Sequence, residues 1–344
     1  MKLREAIEVA LSGSDVEPEL LEAAFGEIMD GEAEPVQIAA LLVALRAKGE
    51  SVDEIVATAR ALRARATTAQ ALASNTIDVC GTGGSGVDTF NISTTGAFVV
   101  AGAGVPVAKH GNRAASSRSG SFDVLEALGV AIEIPVEACG EILEEIGIAT
   151  FFARTAHPAF RHVAPVRQAL GVRTLMNCLG PLLNPAGVMH QIVGVYDDAL
   201  VDPLARALSG LGAKRALVVH GSDGLDEITT TGPTRACFVA GGEPRSLTIE
   251  PKALGLGIAK PADLAGGSPE ENAEITRGVL AGEEGPCRDI VVLNAGAAIW
   301  VAEAAADLAA GMEAARRSID TGAAHAKLEA LIASSRARVQ EAPA

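Results

Sequence analysis

Four stretches of the chain hold residues whose types and spacing bear on chemistry. The first is GTGGSGVDTFNIST, residues 81–94. Gly81, Gly83 and Gly86 spell G-x-G-x-x-G, the spacing of a dinucleotide-binding turn. Such a turn follows a strand, and IDVC at 77–80 supplies one. It also needs an acidic residue about 20 positions on, at the end of the next strand, to hold a ribose diol. Here the next β-like run, VPVA (105–108), ends in Lys109-His110-Gly111-Asn112-Arg113. Cations at that place favour phosphate over a diol. A Walker loop is excluded too, because no Lys-Ser or Lys-Thr follows the glycines. Gly81, Gly83 and Gly84 allow backbone to approach a ligand closely. Ser93 and Thr94 stand where caps stand, at the start of an apolar helix whose free N–H groups make an anion site. Taken alone, an ordinary capped strand–turn–helix is the simpler reading of this stretch.

The second stretch, KHGNRAASSRSGS (109–121), shifts the balance. It places a Lys, a His, an Asn, two Arg and four Ser in thirteen residues, between a strand and the helical FDVLEALG. Hydroxyls and cations at a helix start suit a phosphate or diphosphate. Two such loops after neighbouring strands share the carboxyl edge of a sheet, where open α/β sheets bind ligands. The third stretch, GSDGLDEITTTG (221–232), follows the strand-like RALVVHG and holds the carboxylate pair Asp226-Glu227. It reads either as an exposed acidic turn or as a set of Mg²⁺ ligands, hard oxygens beside a phosphate site. The fourth is HPAFRHVAPVRQALGVRTLMNCLGPLLNPA (157–186), with Arg167 and Arg173 six apart. One arginine suits a bidentate clamp on a carboxylate and the other a structural ion pair. Spacing alone does not choose between them.

The elements that must position these residues fall into two groups. Residues 1–70 read as about four helices: Leu3, Ile7 and Leu11 share a face, as do Leu20, Leu21, Phe25, Ile28 and Met29, then Ile38, Leu41, Leu42 and Leu45. Gly49 stops the third helix, and Ser51-Val52-Asp53-Glu54 is a capping box that starts the fourth. After Ser74, short β-like runs at 77–80, 105–108, 148–153, 191–196 and 215–221 alternate with helical stretches. That is the pattern of a parallel sheet covered by helices. Beyond 228 come short strand-like pieces, with helices expected over 270–282 and 303–338. A hydrophobic content of 49% with only 3% aromatic suits helices on a buried parallel sheet. The net charge of −15 argues against a nucleic-acid partner. Five cysteines without a C-x-x-C indicate neither a disulfide framework nor a zinc site. No run is apolar enough to span a bilayer, and the N-terminal segment lacks a signal peptide's apolar middle. A cytoplasmic protein is expected.

DVCGTGG, FNIST, KHGNRAASSRSGS, LDEITTTGPT and VRTLMNCLGPLLNPA together resemble the anthranilate phosphoribosyltransferase family, and the resemblance covers nearly the whole chain. It implies an α/β fold: a small N-terminal all-helical domain (1–72, joined by helices from about 165–185) and a larger α/β domain (73–344) with a central, mostly parallel sheet. It implies transfer of the phosphoribosyl group of 5-phosphoribosyl 1-diphosphate to anthranilate in tryptophan biosynthesis, with two Mg²⁺ ions. It also implies a homodimer, for which the apolar stripes of the helical lobe, Leu20 and Leu41 among them, are the expected surface. Carried over by position, Gly81, Gly84, Ser85, Thr89, Asn91, Ile92, Ser93, Thr94, Lys109, His110, Gly111, Asn112, Arg113, Ala114, Ala115, Ser116, Ser117 and Ser121 would bind the phosphoribosyl diphosphate. Ser93, Asp226 and Glu227 would hold Mg²⁺. Gly81, Asn112, His110, His157 and Arg167 would receive anthranilate. Lys109, Asp226 and Glu227 would carry catalysis by charge, with no general base. Three departures stand out: Ser85 where the family more often has Asp, Phe122 where a small residue is usual, and Arg154-Thr155 in place of more apolar residues. Two alternatives remain: a pyrimidine nucleoside phosphorylase, and a relative of this fold that has lost activity and binds nucleic acid.

Overall fold

The computed structural model describes residues 1–69, 73–114, 118–241 and 243–341. Ala115, Ser116 and Ser117 of the expected phosphate loop therefore lie outside the described residues. The chain opens with four helices, α1 (Lys2–Leu11), α2 (Pro18–Met29), α3 (Pro35–Lys48) and α4 (Val52–Arg63). The order continues β1 (Ile77–Gly81), α5 (Ile92–Gly102), β2 (Val107–Gly111), α6 (Ser121–Leu128), α7 (Val136–Ile146), β3 (Ile148–Phe152), α8 (Ala153–Ala156), α9 (Ala164–Leu170) and α10 (Met176–Leu179). Then come β4 (His190–Gly194), α11 (Val201–Gly210), β5 (Arg215–Gly221), β6 (Thr234–Ala240), β7 (Arg245–Ile249), α12 (Pro269–Leu280), α13 (Pro286–Val301), α14 (Leu308–Asp320) and α15 (Ala323–Glu341).

The strands form one seven-stranded sheet in the order β3-β2-β1-β4-β5-β6-β7. β1 to β5 run parallel, and β6 and β7 close the edge antiparallel. The chain winds one way from β1 to β3 and the other way through β4 and β5. The order therefore reverses beside β1, at the place where doubly wound sheets leave a crevice.

Alternate residues of each central strand serve two cores. Ile192, Leu217, Val219 and Phe238 face the core built with α5, α13 and α15. Val193, Val218, Cys237 and Val239 face the core shared with α11 and the N-terminal helices. That second core also takes in Val163, Val166, Leu175, Met176 and Cys178, so the segment around α9 and α10 packs with the helical lobe.

Some boundaries differ from the sequence reading. β2 begins at Val107, two residues later than the apolar run, and continues through Lys109 and His110, both buried. The expected helix over 303–338 is two helices, with Asp307 capping the first and Gly322 (φ +74) between them. α13 has no counterpart in the sequence reading. Leu41 is fully buried and Leu20 packs against the lobe's own core, so neither belongs to an exposed face.

Candidate active site

The loops after β1, β2 and β5 leave the sheet at one edge and converge. The glycine loop is fixed to both of its neighbours. Thr82 donates its N–H to the Gly194 carbonyl at the end of β4 (2.8 Å), and the Tyr196 N–H donates to Thr82 Oγ1 (3.1 Å). The Gly83 N–H donates to Asp226 Oδ2 (2.9 Å). Gly83, Gly84 and Gly86 have φ of +68°, +76° and +76°, a region that side chains resist. Gly81 and Gly194 serve a different need. A Cβ at Gly81 would overlap the Asp226 carboxylate, and one at Gly194 would overlap the Asp226 backbone. The two glycines make the slot into which the acidic loop lies.

Glu227, beside it, accepts hydrogen bonds at Oε1 from both the N–H (3.1 Å) and the hydroxyl of Ser93. Ser93 and Thr94 are not the caps of α5. Asn91 occupies the N-cap position, Ser93 sits in the first turn turned towards Glu227, and Thr94 is buried. The acidic loop is held from beneath by Asn294 of α13. Asn294 Oδ1 accepts the Ile228 N–H (2.9 Å) and its Nδ2 donates to the Ile228 carbonyl (2.8 Å). Desolvation, with the Asp226 charge next to it, pushes the Glu227 carboxyl up to about 7. Desolvation also raises Asp226.

Lys109 is 2% exposed and donates from Nζ to the Val79 carbonyl (2.8 Å). Asp78, fully buried on β1, accepts the His110 N–H at Oδ1 (3.1 Å), while its Oδ2 has no hydrogen-bond partner among the described residues. The Lys109 ammonium thus stands close enough to Asp78 and Glu227 to act on both, with Asp226 adjacent in the acidic loop. Such a floor lacks positive charge. Ser93 Oγ, Asp226 and Glu227 are hard oxygen donors on its open side, a set that suits Mg²⁺ completed by substrate phosphate oxygens. No cluster of three or more His, Cys, Asp or Glu able to hold a metal by itself occurs among the described residues.

The loop after β2 is organised by Asp123, whose Oδ2 accepts the N–H groups of Ala114 (2.8 Å) and Gly120 (2.9 Å). Ser121 Oγ donates to the Asn112 carbonyl (3.2 Å), and Gly111 leaves room for Ser121 and Phe122. The Arg113 guanidinium pairs with Glu126 (2.8 and 3.0 Å) and Asp123 (3.3 Å), and its N–H donates to Asn112 Oδ1 (2.8 Å). Asn91 is held by Asn272 (3.0 Å) and Ser119 (3.2 Å). Thr89 bridges to Ala265, and Ser85 Oγ lies 3.5 Å from the Val87 backbone. Ile92 is buried in the core and Phe122 stacks on Phe152 (centroids 4.9 Å apart), so both of those side chains are packing residues.

Across the cleft lie α8 to α10. His110 and His157 meet edge to face (centroids 5.3 Å apart), and the Nε2 atom of each lacks a hydrogen-bond partner among the described residues. Burial holds both imidazoles neutral, His110 at about 3 and His157 at about 4. The Arg167 guanidinium, half-buried, has no hydrogen-bond or ionic partner among the described residues, and desolvation lowers its pKa. Arg154 and Arg161 line the same wall. The space between the walls is a cleft of about 890 Å³. Every described residue that the resemblance assigns to substrate or metal lines it, from Gly81 to Glu227. The sequence reading missed Asp78, Gly194, Tyr196 and Asn294. Of these, only Gly194 carried a signal, as a glycine inside a strand run.

Residues 73–325 match the glycosyl transferase family a/b domain, and residues 4–66 match its helical bundle domain. The chain is 53% identical over 335 residues to the anthranilate phosphoribosyltransferase of Rubrobacter xylanophilus, covering 97% of this chain and 98% of that one. It is 53% identical over 306 residues to that of Moorella thermoacetica, covering 89% and 90%. Among solved structures, the anthranilate phosphoribosyltransferase of Thermus thermophilus superposes with a TM-score of 0.92 at 46% identity, over 96% of this chain and 99% of that one. The Saccharomyces cerevisiae enzyme in complex with PRPP and Mg superposes with a TM-score of 0.90 at 27% identity, over 97% and 98%.

Proposed function

The chain belongs to the anthranilate phosphoribosyltransferases, and from that premise we propose that it transfers the 5-phosphoribosyl group of 5-phosphoribosyl 1-diphosphate to the amine of anthranilate, in L-tryptophan biosynthesis in the cytoplasm. The products are N-(5-phosphoribosyl)anthranilate and diphosphate. The observation that carries this reading is the pairing of opposite walls across one cleft. A floor with excess carboxylate and hydroxyl oxygen faces a free, half-buried guanidinium, Arg167.

In this reading the amine lone pair attacks ribose C1, the C1–oxygen bond breaks, and its electron pair leaves with diphosphate. The arylammonium then sheds its proton to water, so no side chain need act as base. The transition state gathers positive charge on the ribose and negative charge on the leaving group. Mg²⁺, two ions by family analogy, would supply charge against the diphosphate when bound. Ser93, Asp226 and Glu227 would hold it. Lys109, already fixed on Val79, adds a positive field at the floor, and the glycine loop offers backbone N–H groups. Arg167 fixes the anthranilate carboxylate, which orients the amine. Neutral His110 and His157 shape the acceptor's side of the cleft without adding charge.

The protein is also proposed to be a homodimer through the helical lobe. α3 exposes Val36, Ala40, Val43 and Ala47 along one stripe, with Val36 74% exposed. Neither the phosphorylase nor the nucleic-acid alternative is favoured by any feature of the site. The test is loss of anthranilate fluorescence on addition of phosphoribosyl diphosphate, with and without Mg²⁺. Mg²⁺-dependent loss in the wild type, with the anthranilate KM raised about 100-fold or more in Arg167→Ala, is expected for a lost charge-assisted clamp. A wild-type protein that consumes no anthranilate would overturn the reading.

A further inference from the structure

Arg167 and Arg173 have different surroundings. Arg167 has no hydrogen-bond or ionic partner among the described residues, whereas Arg173 is engaged on two sides. Its Nη2 donates to the Gly84 carbonyl at 2.5 Å, and its Cζ lies 3.9 Å above the centre of the Tyr196 ring. A Cβ at Gly84 would come within 3.6 Å of the same Nη2, so the guanidinium lies directly against the loop backbone. Tyr196 in turn bonds Thr82 through its N–H (3.1 Å), which closes a circuit of arginine, ring and loop. Leu175 and Met176, two and three residues beyond Arg173, are buried in the core that the helical lobe shares with one face of the sheet. Arg173 therefore reaches from a segment packed with the helical lobe on to the glycine loop.

We propose that Arg173 is a positioning residue: stacked on Tyr196, it ties the glycine loop to the helical lobe and so holds the phosphoribosyl-diphosphate site in its binding shape. This rests on the transfer reading above. A planar guanidinium can stack on a ring and donate in its own plane at once, which an ammonium cannot. Without that tie, a loop with Gly83, Gly84 and Gly86 in the left-handed region regains the wide freedom of glycine. The cost of ordering it then falls on substrate binding.

The test is titration calorimetry of phosphoribosyl diphosphate with Mg²⁺ present, beside steady-state kinetics and melting curves, for wild type, R173Q, R173K, Y196L and R173Q/Y196L. The expected result for R173Q is a Kd and KM for phosphoribosyl diphosphate raised about tenfold, ~1.4 kcal/mol. The anthranilate KM should stay within about twofold and the melting temperature should not move. R173K should resemble R173Q, Y196L should give the same shift, and the double variant should be no worse than either single change. An unchanged Kd in R173Q, an equal rise in both KM values, or a loss in R173Q that Y196L does not share would overturn the proposal. Wild-type protein that binds no phosphoribosyl diphosphate would instead overturn the transferase reading itself.

Discussion

Asp226 and Glu227 are adjacent in sequence, but the fold uses them differently. Asp226 lies in the slot between Gly81 and Gly194 and anchors the glycine loop through Gly83. Glu227 faces Ser93 at the start of α5. Replacing both, Asp226→Asn with Glu227→Gln, should abolish Mg²⁺-dependent turnover and also the Mg²⁺ dependence of diphosphate binding measured by calorimetry; the amides keep size and lose charge. The buried histidines give a second expectation at this scale. His157 titrates at about 4 in the fold and near 6.5 when unfolded. Between those values the unfolded chain takes up a proton that the folded chain refuses. The stabilisation is thus full above pH 6.5 and is lost as pH falls towards 4. Its ceiling is roughly 3 kcal/mol. Glu227, raised to about 7, works in the opposite direction over much of the same window. The clean measurement is therefore a difference: the stability of wild type minus H157Q, by urea unfolding, should fall as the pH drops from 7 to 4. A flat difference would show that His157 is not held neutral.

At the scale of elements, the sequence was most legible where local chemistry sets a boundary. Ser51 and Glu54 form the expected reciprocal cap of α4, with Ser51 Oγ accepting the Glu54 N–H at 3.2 Å. It was least legible where burial is complete. α13 is apolar on all sides apart from Asn294 over its buried stretch, so it has no period to read. The sequence reading of β2 stops short because Lys109 and His110 look like loop residues. They are buried because Val79 and Asp78 satisfy them. α3 presents the reverse case, a helix of a surface lobe with an apolar outer stripe. Such a stripe calls for a covering surface. Val36→Asp with Val43→Asp should convert a dimer to a monomer by light scattering, while the helical content of the monomer persists. A dimer that survives both charges would place the interface elsewhere.

For the whole molecule, the motifs announced the glycine loop, the loop after β2 and the acidic pair that line one cleft, because each is a local run of residues. What they could not announce is pairing across the chain. Gly83 meets Asp226 over a separation of 143 residues, and Arg113, a cation inside a phosphate motif, pairs with Glu126. The different surroundings of Arg167 and Arg173 were likewise invisible in their spacing, since only three-dimensional neighbours show that Arg173 is bound to Gly84 and Tyr196.

The cationic wall also matters before any substrate is bound. The chain carries a net charge of −15, so at long range it repels the two anions it is proposed to consume. Arg154, Arg161 and Arg167 gather on one side of the cleft, and low-dielectric walls concentrate their field at its mouth. Approach is then guided over the last ångströms rather than from afar. Added salt would relieve the distant repulsion and weaken the local attraction together. The expected outcome is a kcat/KM for phosphoribosyl diphosphate that falls with ionic strength in the wild type, and less steeply in R154Q/R161Q. Equal slopes would mean that capture owes nothing to the wall, and that this acidic protein meets its acidic substrates by unguided collision.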